Sequence, residues 1–141
     1  MKTIIKNARI VNEGNISKSD ILINEDLIEE IGQNILANGE EKIIEAEGCF
    51  LIPGVIDDQV HFREPGFTHK GTIYSESKAA VAGGITSYFE MPNTNPQTTT
   101  ISELKNKFEI AAKNSFSNYS FMFGGTNDNF GEIQKLDFSE I

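Results

Sequence analysis

The sequence predicts an α/β chain, with a small β-sandwich over residues 1–52 followed, over 53–141, by the first β/α units of a barrel, left incomplete. Three observations predict it. Up to about residue 50, short runs rich in Ile, Leu and Val are separated by Asn, Glu and Gly, with no helical period. After Pro53 strand-like runs alternate with helix-like ones. The first of these later strands leaves an apolar stretch, Phe50 to Ile56, and ends in a polar cluster, the layout expected at the mouth of a barrel.

Taken in order, Thr3 to Val11 is a strand that turns at Asn12-Glu13-Gly14-Asn15. Asp20–Ile23 and Leu27–Ile31 flank Asn24-Glu25-Asp26, a short hairpin connection. Lys42 to Ala46 is a further strand. In the second part a strand over 55–62 leads into a loop with Pro65, Gly66 and Gly71. A helix over 72–82 is closed by Gly83-Gly84. The next strand, Ile85 to Met91, stops at Pro92-Asn93-Thr94-Asn95-Pro96. A second helix begins near Thr100, which stands at capping-box spacing from Glu103, and its apolar stripe is Ile101, Leu104, Phe108, Ala111 and Ala112. A third strand over 118–123 ends at Gly124-Gly125-Thr126, and Asn127 to Ile141 lead toward another helix. Three strands and two helices are less than half of an eight-stranded barrel, which needs about 250 residues. The expectation is the N-terminal portion of a larger enzyme, with exposed sheet edges that favour self-association; a small open α/β domain complete in itself is the alternative.

The net charge of −9 argues against nucleic-acid binding, which needs a basic footprint. The acids between Glu25 and Glu47 read as a solvated face. No run approaches the ~18 apolar residues of a membrane span, and the start has no signal-peptide character, so no membrane partner and a cytoplasmic location are expected. The sequons at Asn15 and Asn118 then carry no meaning. The single cysteine, Cys49, has no internal disulfide partner and is expected to be a small buried hydrophobe.

The chemistry is concentrated in Asp57-Asp58-Gln59-Val60-His61-Phe62-Arg63-Glu64-Pro65-Gly66. Residues 57, 59, 61 and 63 share one parity, so on a strand their side chains face one way and Val60 and Phe62 the other. A row of polar and ionisable groups backed by an apolar face is costly to bury unless it binds something. Gly83-Gly84 and Gly124-Gly125-Thr126 are turn and packing chemistry; no phosphate-binding glycine pattern occurs.

Pro53-Gly54-Val55-Ile56-Asp57 through Arg63-Glu64-Pro65-Gly66, then Thr68-His69-Lys70, Ala79 to Thr86 and Met91-Pro92-Asn93-Thr94, resemble the amidohydrolase superfamily, most closely the dihydroorotases of its cyclic amidohydrolase branch. The resemblance spans residues 1 to about 126, and Met-Pro-Asn-Thr favours dihydroorotase over allantoinase or hydantoinase. It implies a zinc-dependent hydrolase with a (β/α)8 barrel, one or two zinc ions, and a small-molecule substrate, dihydroorotate or N-carbamoyl-aspartate, in pyrimidine biosynthesis. It leaves a homo-oligomer open. It implies His61 as a metal ligand, and Arg63 and Asn93 as substrate-binding residues, Arg63 through a planar fork suited to a carboxylate. The acid/base Asp and the other ligands are expected beyond Ile141. The family's first metal motif is His-x-His; here it reads Gln59-Val60-His61, and an amide oxygen is a poor zinc ligand. Either the site works with a single zinc on His61, or Gln59 holds a water or orients His61, or the protein is a non-catalytic relative that serves as an assembly partner, for instance for a transcarbamoylase. Asp57 is either a partner of His61 or a structural carboxylate, and His69 is a loop residue.

Overall fold

The computed structural model describes residues 1–137, and the chain divides into two compact units, one from Met1 to Pro53 and one from Gly54 onward. The expected acid/base Asp and the end of the Asn127–Ile141 segment lie outside the described residues.

The first unit is all β: β1 (Lys2–Asn12), β2 (Asn15–Asn24), β3 (Leu27–Gly32), β4 (Lys42–Glu45) and the two-residue β5 (Phe50–Leu51). They form one hydrogen-bonded sheet in the order β3-β2-β1-β4, with β5 also on β1. β1–β2 and β2–β3 are antiparallel hairpins with two-residue connections; β4 and β5 run parallel to β1 at successive stretches, Thr3–Lys6 and Arg9–Ile10. The β1–β2 register shifts between Ile5 and Ala8, where Asn7 takes a left-handed φ of 60°. A buried carboxylate holds that irregularity. Asp20 accepts from the backbone N–H of Asn7 (2.8 Å) and of Ile35 (3.0 Å), and Lys6 Nζ stands 3.5 Å away. The Asn7 N–H, followed by the Ile35 N–H and the Lys6 charge, holds the Asp20 carboxyl below its ordinary 3.8, against the effect of burial.

Replacing Asp20 with Asn leaves those two donors without an anion. We expect a loss of about 2–3 kcal/mol at neutral pH, the worth of bonds to a charged group. Because the folded pKa is depressed, the folded chain binds fewer protons than the unfolded chain around and below pH 3.8, so this stability is present above that value and lost as pH falls through the folded pKa. Urea midpoints across the acid range should therefore fall less steeply in the variant; equal slopes would remove Asp20 from the acid response.

Cys49 is exposed rather than buried. It lies in the turn before β5, where its backbone works instead: its N–H donates to Ala46 O and its carbonyl accepts from Arg9 N–H, both 2.9 Å. Turn backbone tied on both sides leaves the thiol no core to enter. The acids of residues 25–47 are at the surface as a solvated face, with Glu29 paired to Lys2.

The second unit is β6 (Val55–Val60), α1 (Ile73–Ala82), β7 (Ile85–Glu90), α2 (Ile101–Asn114), β8 (Asn118–Phe121) and the single turn α3 (Phe130–Ile133). β6-β7-β8 is a three-stranded parallel sheet. Both long helices start on a threonine: Thr72 accepts from Ser75 N in a reciprocal capping box, and Thr100 accepts from Glu103 N. Gly84, at φ 91°, turns the chain out of α1 as the sequence predicts. The core is Phe62, Ile73, Tyr88, Leu104, Ala111 and Phe121. Burial pushes the Tyr88 hydroxyl up to about 12, although it donates to Ser115 Oγ at 3.2 Å.

Strand lengths differ from expectation at the functional end. β6 stops at Val60, not 62, and β8 stops at Phe121, not 123. The buried side of α2 is Leu104, Lys107 and Ala111, while Ala112 is exposed. A lysine therefore occupies the position in the stripe where an apolar residue would be expected.

Candidate active site

In a parallel sheet the C-terminal ends of all strands lie on one edge, so the segments after β6, β7 and β8 gather there. They are tied together by backbone. Met91 N–H donates to Val60 O (3.0 Å), Met122 N–H to Glu90 O (2.9 Å), Asn95 N–H to Pro65 O (3.1 Å) and Gly124 N–H to Thr98 O (2.8 Å). Asn129 adds a side-chain stitch: Nδ2 donates to Thr99 O and Gly124 O, both 2.8 Å, while Oδ1 accepts from Thr126 N–H at 2.8 Å. Glu132 accepts from Ile101 N–H (3.0 Å) at the start of α2, joining α3 to the same platform. Gly66 has φ 89°, and a Cβ there would stand 2.0 Å from the Asn95 carbonyl oxygen, so no side chain fits where the first two loops meet.

His61 and Asn93 meet on this platform. The exposed His61 ring presents Nδ1 3.0 Å from Asn93 Oδ1. An amide oxygen only accepts, so Nδ1 is the donor in this contact, and in the neutral ring the lone pair is then on Nε2. Asn93 keeps its two N–H donors for another acceptor.

Arg63 is not on the strand. It adopts a left-handed φ of 73°, followed by cis Glu64–Pro65. The alternation that put 57, 59, 61 and 63 on one face ends with β6 at Val60, and the β6–β7 register already slips between Asp57 and Val60. Arg63 lies in the loop that follows His61. Its carbonyl accepts from Phe67 N–H (3.0 Å), and among the described residues its guanidinium has no carboxylate within ion-pair distance. The neighbouring Glu64 caps α1 instead, accepting from Ile73 N–H at 2.7 Å.

Asp57 accepts from the Gln59 backbone N–H at 3.2 Å, a local contact within the strand irregularity, and Gln59 is exposed. Neither side chain is bonded to His61; Asn93 is the group that orients it. His69 sits in the loop after β6 with its ring edge-on to Phe67 at 6.4 Å between centroids. As for a metal, among the described residues no group of three His, Cys, Asp or Glu side chains comes together, and His61 is a single donor where a zinc site needs three or four. The described residues therefore do not make a metal site by themselves.

Beneath the platform lies a pair that sequence reasoning missed. Glu90 and Lys107 are 0% and 1% exposed. Lys107 Nζ donates to Glu90 Oε2 and, at 3.0 Å, to Met91 O, and it lies 5.3 Å from the centre of the Phe121 ring. Burial is the leading cause of both shifts, Glu90 upward and Lys107 downward, and their mutual bond opposes it in each case. The signal available in the sequence was a glutamate closing a strand otherwise rich in apolar and hydroxyl side chains, 17 residues before a lysine within an apolar stripe.

The Dihydro-orotase-like family matches residues 48–128 of this chain. A dihydroorotase of Carboxydothermus hydrogenoformans is 50% identical over 98 residues, 68% of this chain and 23% of the relative. One of Lactococcus lactis is 40% identical over 143 residues, 100% of this chain and 33% of the relative. Among solved structures, the L-hydantoinase (dihydropyrimidinase) of Arthrobacter aurescens superimposes with a TM-score of 0.89 at 32% identity, over 94% of this chain and 30% of that one. The chain spans between about a quarter and a third of the curated relatives it matches, which are 38–50% identical to it. From its motifs, its βαβαβ architecture behind a β-rich unit and these relatives, the chain belongs to the dihydroorotase-like family of cyclic amidohydrolases.

Proposed function

We propose that this chain supplies the first part of the active site of a dihydroorotase, acting reversibly on the ring amide of dihydroorotate to give N-carbamoyl-L-aspartate, in pyrimidine biosynthesis and in the cytoplasm. The observation that carries the reading is the meeting of His61 and Asn93 at 3.0 Å, on loops that leave adjacent parallel strands, in a chain this close to named dihydroorotases. Residues 1–52 form the small composite domain and 53–141 the first units of the barrel. Arg63 grips the substrate carboxylate with its fork, and Asn93 donates to the substrate while its oxygen keeps His61 oriented. His61 offers Nε2 as one ligand to zinc, and further ligands and the acid/base aspartate come from outside the described residues. Gln59 does not ligate. Asp57 shapes the strand end.

The fold similarity to L-hydantoinase supports a second reading, hydrolysis of a hydantoin ring on the same clamp. Gln59 motivates a third, a catalytically silent homologue that works as an assembly partner. One experiment separates them: ring hydrolysis by the full-length protein with zinc supplied, on dihydroorotate, hydantoins and allantoin, with His61→Ala alongside. We expect dihydroorotate to be turned over and His61→Ala to lose about a hundredfold or more. Turnover of hydantoins alone moves the assignment to the second reading; no turnover, with no zinc in the purified protein, moves it to the third.

A further inference from the structure

We propose that the buried Glu90–Lys107 pair is the positioning element that sets the spacing of His61 and Asn93, an inference that rests on reading those two as part of the site. Two charges at 0% and 1% exposure are an expensive way to fill a core, and an apolar pair of the same volume usually serves stability as well. An apolar pair, however, could not hold backbone groups. Lys107 fixes the Met91 carbonyl, two residues before Asn93, at 3.0 Å. The N–H of that same Met91 donates to the Val60 carbonyl at 3.0 Å, one residue before His61. Met91 thus joins both loops, and the Lys107–Glu90 bond fixes the ammonium that holds it, so the segments carrying His61 and Asn93 are referenced to one buried ion pair at the end of β7. The Phe121 ring lies 5.3 Å from the buried ammonium. Glu90 Oε1 makes no hydrogen bond among the described residues, so the carboxylate is not saturated as stability alone would favour. Neither residue reaches the platform surface: they act through the loops and are positioning residues.

The test is the charge-free double variant Glu90→Gln/Lys107→Met in the full-length protein, which leaves no unpaired buried charge. It is read by hydrogen exchange over residues 61–70 and 91–98 and by steady-state kinetics on dihydroorotate. We expect cooperative unfolding to be retained, exchange to rise about tenfold in both segments but not within β7 or α2, and KM to rise about tenfold with kcat little changed. A folded double variant with native exchange in both loops overturns the proposal. If the double variant does not fold, Lys107→Arg keeps the cation but alters its reach; displaced exchange in both loops supports the proposal, and none overturns it. Should the unmodified protein fail to turn over dihydroorotate, the functional reading fails and the exchange data alone decide this one.

Discussion

Replacing Lys107 alone with Met will destabilise the full-length protein by about 3–5 kcal/mol, the cost of leaving a buried carboxylate without its cation. Glu90 then loses its one side-chain partner and faces a desolvation that already pushes its pKa upward. The pH dependence follows from that sign. A carboxyl whose folded pKa lies above its unfolded 4.5 binds more protons folded than unfolded, so the variant loses stability as pH rises from 4.5 through the folded pKa and is least impaired toward acid pH. Chemical denaturation of variant and parent at two pH values, one near 5 and one near 8, checks it. A uniform loss at both would mean that Lys107 contributes by packing its stem against Phe121 and not by its charge.

The largest effect on activity is expected from Arg63→Gly. A non-glycine side chain at φ 73° costs about 1–2 kcal/mol, and glycine removes that cost while adding about 0.5–1 kcal/mol of chain entropy to the unfolded state. Stability should therefore change by no more than about 1.5 kcal/mol. On the proposed role of Arg63, the lost guanidinium removes a two-bond grip on a carboxylate, about 3–4 kcal/mol, so kcat/KM for dihydroorotate should fall about 100- to 1000-fold, mainly through KM. Arg63→Ala should show the same kinetic loss without the backbone relief. An unchanged kcat/KM in either variant would end the assignment of Arg63 to the substrate.

Much of this architecture was written locally. Thr72 and Thr100 announce their helices because a hydroxyl at that position satisfies an amide the helix cannot, and Gly84 closes α1 because its φ excludes a side chain. The strand-to-loop transitions were less legible. Alternation of side chains holds only while a strand continues, and β6 ends where Met91 begins to pair with the Val60 carbonyl, a contact 31 residues away in sequence that no local pattern encodes.

At the candidate site, the motifs pointed to His61, Arg63 and Asn93; the structure brings His61 and Asn93 together, by a contact the motifs do not encode. Asp57 looked available to His61 by parity; the register slip turns it toward the Gln59 N–H, and Asn93 takes its place. Lys107 was hidden because lysine on a helix is ordinarily solvated, and only the tertiary approach of Glu90 makes its burial tolerable. Cys49 failed for the converse reason, apolar neighbours in sequence being no guarantee of apolar neighbours in space.

The loop after β6 is anchored at both ends, by Asn95 on Pro65 at one and by Glu64 on Ile73 at the other. Its crest, Phe67 to Lys70, closes on itself through Lys70 N–H to Phe67 O at 2.9 Å. For directed evolution this makes the crest an interchangeable module: residues 67–70 offer four positions to randomise, with the anchors holding the rest of the loop in register throughout the library.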